Sequence, residues 1–436
     1  HGHTATLLQD GRVLVAGGSS DEEEAEIFDP VSMSWSIGGI MDLARVAHSA
    51  TLLEDGRVLV AGGASRGHPT ELAEIYNPDS GRWVSAETLG KWSSPESMAY
   101  GRIEHTLTTL NDGSVLVVGG RSPGPADKYG GRGPAIFIKS AERYIPKTRL
   151  WSDTPDMSIA RGGHTATILE DGRVLVTGGW NAEGSAAEGT REVVYLSDTE
   201  VYNPSTDSWA VTPTMGEKRW NHAAVRLTDG RVLVSGGDSG DGPIASAQIF
   251  DPSTVSWIPI DNMSEPRSGH VSLLLRSGKV LVAGGAAEVA ELYDPLTGTW
   301  SLTNPMAQPT RRAGGTLIPD GRALVVGGFG SRGPSPSVQI FNPSSNEWSS
   351  HTNMKHARFA PEVIALPNGK VFVVGGSQSA DGVLYEPSTD TWVEAGKMTN
   401  MRREPAASLL QDGSILITGG EDRNYQILST IELYQP

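Results

Sequence analysis

The stretch that decides the fold runs from His3 to Gly18 and reads HTATLLQDGRVLVAGG. Two apolar runs, Thr4 to Leu8 and Arg12 to Ala16, flank an Asp-Gly pair, and a Gly-Gly pair closes the second run. Val, Leu and Thr favour pleated, half-buried surfaces, so both runs are expected as strands. Asp-Gly between strand-like runs predicts a hairpin with a type I′ turn, because that turn needs φ > 0 at both central residues.

The same phrase recurs along the chain. Gly-Gly pairs begin at Gly17, Gly62, Gly119, Gly178, Gly236, Gly284, Gly327, Gly375 and Gly419, at spacings of 43 to 59 residues, which is the range of four-stranded propeller blades. About ten residues before each pair stands the turn: Asp10-Gly11, Asp55-Gly56, Asp112-Gly113, Asp171-Gly172, Asp229-Gly230, Ser277-Gly278, Asp320-Gly321, Asn368-Gly369 and Asp412-Gly413. After each pair a strand ends in aromatic-x-Pro, as in Phe28 to Pro30 and Tyr434 to Pro436. A short polar turn and a Trp follow in eight units: Trp35, Trp83, Trp151, Trp209, Trp257, Trp300, Trp348 and Trp392. Met-x-x-x-Arg then leads into the next unit in most repeats, as in Met157/Arg161. Every landmark points to nine units.

Gly-Gly, aromatic-x-Pro, Trp and Met-x-x-x-Arg in fixed order resemble the Kelch repeat, and the wording of the first hairpin is similar to the bacterial Kelch and galactose-oxidase-like group. The resemblance covers essentially the whole chain. It implies an all-β fold, a single β-propeller of four-stranded antiparallel blades with each unit's first strand nearest the axis. The expected organisation is one domain over 1–436, with repeats at about 1–44, 45–101, 102–160, 161–218, 219–266, 267–310, 311–357, 358–401 and 402–436. The ninth unit stops where its Trp strand should begin. It is therefore expected to show three strands, any fourth coming from outside this sequence, with eight blades as the alternative count.

Composition narrows the functional classes. There are no cysteines, so there is no disulfide framework and no thiolate metal site. The oxidases of the wider group use copper with a Tyr–Cys crosslink, and the missing cysteine excludes that cofactor. A net charge of −16 argues against broad nucleic-acid binding. No run approaches the ~18 apolar residues of a membrane span. His1 is not a natural start and no signal peptide is visible, so the chain reads as processed or partial. The expected setting is extracellular, cell-surface or periplasmic.

Strand order puts the Asp-Gly turns on a lower rim and the loops after Gly-Gly on an upper one. The upper loops are unequal: Arg121 to Lys139 and Trp180 to Ser197 are long, and Lys91 to Tyr100 expands the link between units 2 and 3. Variable loops on a uniform scaffold are where binding usually lives. Three tryptophans outside the repeat position, Trp92, Trp180 and Trp220, fall in these upper segments, with Tyr100 and Tyr129 nearby. Such aromatics suit sugar rings or a protein anchor, or else pack the loops onto the ring.

A second series is Arg-x-x-His: Arg45/His48, Arg102/His105, Arg161/His164, Arg219/His222 and Arg267/His270, with His3 heading the first unit. Unit 7 has Arg311 and Arg312 without a His, and Pro361 and Pro405 replace it in the last two. Positions close to this Arg take part in binding acidic peptides in eukaryotic Kelch domains, so the resemblance makes these arginines candidates for an anion-binding mouth. Repetition in nearly every unit points instead to blade-to-blade hydrogen bonding. Asp21 to Glu24 and the loop holding Asp238 and Asp241 are candidate Ca²⁺ loops, against the ordinary reading of solvated acidic turns. No hydrolase elbow, HExxH, Walker A or dinucleotide fingerprint occurs, and catalytic residues stay unknown. The leading expectation is a non-enzymatic module, with no resident cofactor, whose upper loops over blades 2–5 bind protein or glycan. A carbohydrate-active enzyme with its site at the channel mouth, and a structural subunit of a surface array, are the alternatives.

Overall fold

The computed structural model of the protein describes residues 2–436 apart from 20, 54–55, 67, 71, 86–90, 126–132, 184–191 and 286. Among these residues there is no helix, and nine four-stranded antiparallel sheets form, one for each repeat unit. In each unit we call the strands a to d from the axis outward. In unit 4 they are Thr165–Ile168, Val174–Thr177, Thr199–Asn203 and Ser208–Thr212. Strand b is the most apolar and the most buried. Val115–Val118, Val174–Thr177, Val232–Ser235 and Ile415–Thr418 are buried on both faces, because each blade is sandwiched between two others.

The a–b turns differ from the expected type I′. Leu8 and Arg12 close the hairpin (Leu8 N–H to Arg12 C=O, 2.8 Å), and Gly11 N–H reaches back to Leu8 C=O at 3.1 Å. Only Gly11, at φ +88, is left-handed; Asp10 keeps an ordinary φ. This is a three-residue connection, a type I turn ending in a left-handed glycine. The aspartate is favoured because its carboxylate accepts the Arg12 N–H (3.0 Å) and the Arg12 side chain (2.8 Å).

The ring does not close as the repeat count predicts. Unit 9 is completed from within the chain: Lys91–Ser93 pairs antiparallel with Ile431–Gln435, placing Trp92 opposite Tyr434. Trp92 packs on Tyr434 at 5.0 Å between ring centroids and donates its indole N–H to Ala395 C=O of unit 8 at 2.8 Å. Those are the contacts that Trp209 makes in unit 4, 5.1 Å from Tyr202 and donating to Pro155 C=O of unit 3. The segment expected as an upper-loop expansion is therefore the missing Trp strand, and no strand from outside is needed.

Closure follows from that strand. The first strand of unit 3, Thr106–Thr109, lies beside that of unit 9, Ala406–Leu409. Val115, Val117 and Tyr144 of unit 3 share one buried cluster with Leu410, Leu416, Ile431 and Leu433 of unit 9. Six further clusters join successive units from 3 to 9. Seven units thus close on themselves, in place of the expected single ring of nine. Units 1 and 2 pack on each other through a separate cluster. No apolar cluster joins unit 2 to unit 3 among the described residues. Unit 2 meets the lower rim of unit 9 through Arg82–Asp412 (3.2 Å) and Arg57 on the Pro436 carbonyl (3.3 Å).

Candidate functional site

The repeated polar residues are consumed in building the ring. Arg161 is fully buried: Nη1 donates to the carbonyls of Gly178 and Asp198, both at 2.8 Å, and Nη2 to Glu200 Oε1 at 2.9 Å. The other oxygen of Glu200 accepts the Ser158 N–H at 2.7 Å, so the carboxylate is satisfied at both ends. Arg102–Glu142 (2.7 Å), Arg267–Glu291 (2.9 Å), Arg402–Glu432 (2.9 Å) and Arg45–Glu74 repeat this clamp inside their blades. Arg219 uses the carbonyls of Gly236 and Ser246 and the Ser246 hydroxyl instead, since Gln248 stands where the others have Glu. Thr310, and neither Arg311 nor Arg312, occupies the repeat position in unit 7. Its carbonyl receives Gly285 N–H as Arg267's receives Gly237 N–H. The five predicted arginines thus point their forks into their own blades.

The histidines bridge blades. His222 Nε2 lies 3.1 Å from Thr165 Oγ1 and 2.9 Å from Thr177 Oγ1 of unit 4. His164 meets Thr106 (3.1 Å), His270 meets Ser235 (2.9 Å), His105 meets Thr418 across the closing seam (2.7 Å), and His48 meets Thr4 (2.9 Å). Units 7 to 9 lack the histidine, and the preceding units there carry no hydroxyl at the matching places: Val271 and Ala283, Gly314 and Val326, Glu362 and Val374. Burial pushes the imidazoles down, to about 3 for His105 and His270, with the neighbouring arginine acting in the same direction. The Gly-Gly pair serves this joint. A Cβ on Gly178, held at φ +59, would stand 2.4 Å from Arg219 O and 2.9 Å from the His222 ring.

What the scaffold leaves free is the pair of residues between Arg and His. The second of the pair is left-handed in every ring unit: Glu104, Gly163, Asn221, Gly269, Arg312, Ala360 and Glu404, with φ between 49 and 66. Their backbones run hand to hand around the upper mouth. Gly163 N–H donates to Glu104 C=O (3.0 Å), Asn221 to Gly163 (3.1 Å), Gly269 to Asn221 (2.8 Å) and Ala360 to Arg312 (2.9 Å). The first of the pair bridges to the residue after Gly-Gly, as Gly162 does to Trp180 and Trp220 to Asp238. A collar results whose backbone is fixed and whose side chains differ from unit to unit.

Over units 3 to 5 the collar is aromatic. Trp180 and Trp220 are half-buried, 5.7 Å apart; Phe137 meets Trp180 edge-on at 4.5 Å, and Tyr195 lies 6.4 Å from Trp220. Gly163 makes room for both indoles, since a Cβ there would stand 3.2 Å from Trp220 and 3.4 Å from Trp180. Glu104 takes the Trp180 N–H on Oε2 (2.9 Å) and the Arg121 guanidinium on Oε1 (2.7 Å), and Arg121 covers the Trp180 ring at 5.5 Å. Burial pushes the Glu104 carboxyl up; Arg121 opposes that, while Glu404 in the adjoining unit pushes it further. On the opposite side Arg312 reaches Glu404 at 2.8 Å and stacks on Phe359, and Phe359 meets Phe329 edge-on.

The structure brings Trp180 and Trp220 together on the collar, while Trp92, expected on the same upper face, stands apart in the closing strand. Tyr129 lies outside the described residues. Asp238 spends one carboxylate oxygen on Gly240 N–H (2.8 Å), and Asp241 is exposed in the same loop. No group of three His, Asp or Glu is placed to hold a metal ion among the described residues. Glu104, Arg121, Arg312, Glu404, Phe137, Tyr195, Phe329 and Phe359 were missed. The signal was the variable pair inside Arg-x-x-His and the residue following Gly-Gly, both of which change chemistry while their flanks repeat.

Residues 2–237, more than half of the chain, match the sequence profile of the KLHDC2/KLHL20/DRC7 Kelch-repeats domain, and residues 310–355 match that of the Kelch motif. The chain belongs to the Kelch-repeat family. Among curated relatives, the Kelch-like protein terF of Aspergillus terreus is 28% identical over 162 residues, 34% of this chain and 31% of the relative. The galactose oxidase of Gibberella zeae is 28% identical over 156 residues, 32% of this chain and 21% of the relative. The Kelch chain thus spans a fifth to a third of these relatives' length. A copper-bound fungal alcohol oxidase of the AA5 family superposes with a TM-score of 0.63 at 19% identity, over 80% of this chain and 76% of its own, which is a likeness of fold.

Proposed function

We propose that this Kelch propeller is a binding module whose ligand surface is the upper collar of the ring, with Trp180 and Trp220 as anchors for a glycan or a protein segment. The observation that carries this reading is a pair of half-buried indoles outside the repeat pattern, locked by Glu104, Phe137 and Tyr195 above an otherwise uniform scaffold. Rigid aromatic faces ringed by hydrogen-bonding groups stack on sugar rings and anchor protein partners at low entropic cost. Glycan-array and pull-down screens on the wild type and on the Trp180→Ala/Trp220→Ala double variant test it. Loss of a ligand from a folded variant supports the collar; unchanged binding overturns it.

One observation favours a carbohydrate-active enzyme as the second reading. Glu104, which holds the Trp180 N–H, and Glu404 come from adjoining ring units and both belong to the collar. Two carboxyl groups beside an aromatic face are the equipment of glycosyl transfer. Turnover of a glycan by the wild type that disappears in Glu404→Gln, with binding retained, would decide for it.

A further inference from the structure

Every ring blade but one sets a Glu or a Gln opposite the third residue of its strand b: Glu142, Glu200, Gln248, Glu291, Gln339 and Glu432. Each reaches back to the segment that follows the preceding blade's methionine and accepts a backbone N–H there. Glu200 takes that of Ser158 (2.7 Å), Gln248 that of Gly216 (3.2 Å) and Gln339 that of Gln308 (3.0 Å). In unit 8 the position is Val383, which can accept nothing. The space is not refilled. A cavity of about 160 Å³ opens there between units 7 and 8, bordered by Met354, Lys355, Arg358, Asp381, Val383 and Trp392. Asp381, set off from Val383 by a β-bulge, meets the buried arginine in place of the missing glutamate. Arg358 Nη2 donates to Asp381 Oδ2 at 3.2 Å and to Asp381 C=O at 3.0 Å. Asp381 keeps 7% of its surface and Arg358 1%. Asp381 Oδ1 is the one buried carboxylate oxygen without a hydrogen-bond partner among the described residues.

We propose that this cavity is a binding site for a primary carboxamide, brought by a small free amide or by a glutamine side chain of a protein segment. The chemistry is read from the blades that fill the same place themselves. Glutamate stands there where it must also neutralise the buried arginine, as in Arg161–Glu200 and Arg402–Glu432. Glutamine stands there where that charge is met by another group or is missing. In unit 5 Glu217 lies 3.8 Å from Arg219, and in unit 7 Thr310 replaces the arginine. Gln339 uses both ends of its amide, since its N–H also donates to Gln308 C=O at 2.7 Å. Unit 8 belongs with these two, because Asp381 already balances Arg358. The ligand carbonyl takes the N–H of Lys355, the counterpart of Ser158, together with Arg358 Nε, which is buried without a partner. The ligand N–H goes to Asp381 Oδ1. A carboxylate in its place would set a second negative charge beside Asp381 in a desolvated pocket. At the mouth Trp392 has its indole N–H committed to Thr352 C=O at 2.7 Å and offers a ring face, and Lys355 pairs with Glu394 in solvent at 3.1 Å.

Saturation-transfer NMR of the whole chain, titrated with acetamide, tests this. A Kd of ~1–10 mM is expected of so small a ligand. Acetate and N,N-dimethylacetamide should bind ~10-fold more weakly or worse, because the first adds a charge and the second leaves Asp381 Oδ1 unpaired. Val383→Gln gives unit 8 the carboxamide that units 5 and 7 carry, and should weaken acetamide binding by ~10-fold or more; thermal unfolding checks that the variant is folded. Val383→Ala, which only widens the cavity, should keep it. Free glutamine and glutamine blocked at both ends separate the two sources. Tighter binding of the free amino acid assigns a small molecule, and tighter binding of the blocked one assigns a protein segment. Acetamide that binds no better than N,N-dimethylacetamide means that water alone fills the cavity, and overturns the proposal. Acetate bound as tightly as acetamide overturns it as well, as does acetamide binding unchanged in folded Val383→Gln.

Discussion

The ring should weaken in mild acid because its blades are bridged by imidazoles that cannot be charged where they sit. Burial pushes His105 and His270 to about 3, and holds His164 and His222 well below their ordinary value. The Nδ1 atoms of all four are buried without a partner, so a second proton would place an unsatisfied cation inside the joint. The sign follows from linkage. An imidazole whose folded pKa is depressed binds fewer protons folded than unfolded, so its stability is fully present above the unfolded value near 6.5 and is lost as pH falls. At pH 5 each such histidine forfeits ~2 kcal/mol, at 1.36 kcal/mol per unit over 1.5 units. Four together forfeit up to ~8 kcal/mol, comparable with the whole stability of a typical domain. His222→Gln isolates one joint. At pH 7.5 it should cost ~1–2 kcal/mol through its contacts with Thr165 and Thr177. At pH 5 that deficit should vanish or reverse, because glutamine does not titrate. Urea unfolding followed by Trp fluorescence at the two pH values, at constant ionic strength, measures it. A deficit equal at both pH values would refute the argument.

Other joints give sharper or opposite responses. Glu362, on the channel-lining strand of unit 8, is pushed up to about 7 by burial alone, so its charge destabilises the ring as pH rises from about 4.5; Glu362→Gln should therefore gain up to ~3 kcal/mol at pH 8 and nothing at pH 4 in the same titration. Glu200→Gln leaves the buried Arg161 charge without its anion and should cost ~3–5 kcal/mol, read as a fall in urea midpoint. Gly178→Ala forces a Cβ against Arg219 O and the His222 ring at positive φ; a loss of ~2–4 kcal/mol is expected, whereas Gly298→Ala, at φ +72 but facing open space, should lose ~1 kcal/mol. Trp92→Ala should cost ~3–5 kcal/mol by loosening the closing strand, while Trp35→Ala, exposed on unit 1, should cost under ~1 kcal/mol.

The blades were legible because their signals are local. Asp-Gly, Gly-Gly, aromatic-x-Pro and Trp each report a turn or a strand a few residues away, and each lands where expected. Ring closure was not legible because it is a pairing between Lys91–Ser93 and Ile431–Gln435, more than 330 residues apart. One clue was available: unit 9 lacked a Trp, and a spare Trp stood between units 2 and 3. Read as bait for a ligand, it was a structural part out of sequence order.

The site was hidden by the regularity that revealed the fold. Arg-x-x-His draws the eye to Arg and His, yet those are the residues that the ring buries and ties into its own joints. Arg161 spends its fork on two carbonyls and Glu200, and His164 spends Nε2 on Thr106. A side chain that closes the same joint in blade after blade cannot be given to a ligand without opening the joint. The residues between them carry no such duty. Their backbone conformation is imposed by the collar, at some cost in strain for Glu104, Asn221, Arg312 and Glu404 at positive φ, and their side chains are left to vary. That division explains why an aromatic wall stands over units 3 to 5 and an Arg312–Glu404 pair over units 7 and 9 on blades otherwise nearly interchangeable. In this ring the letters that repeat build the collar, and the letters that break the repeat decide what it meets.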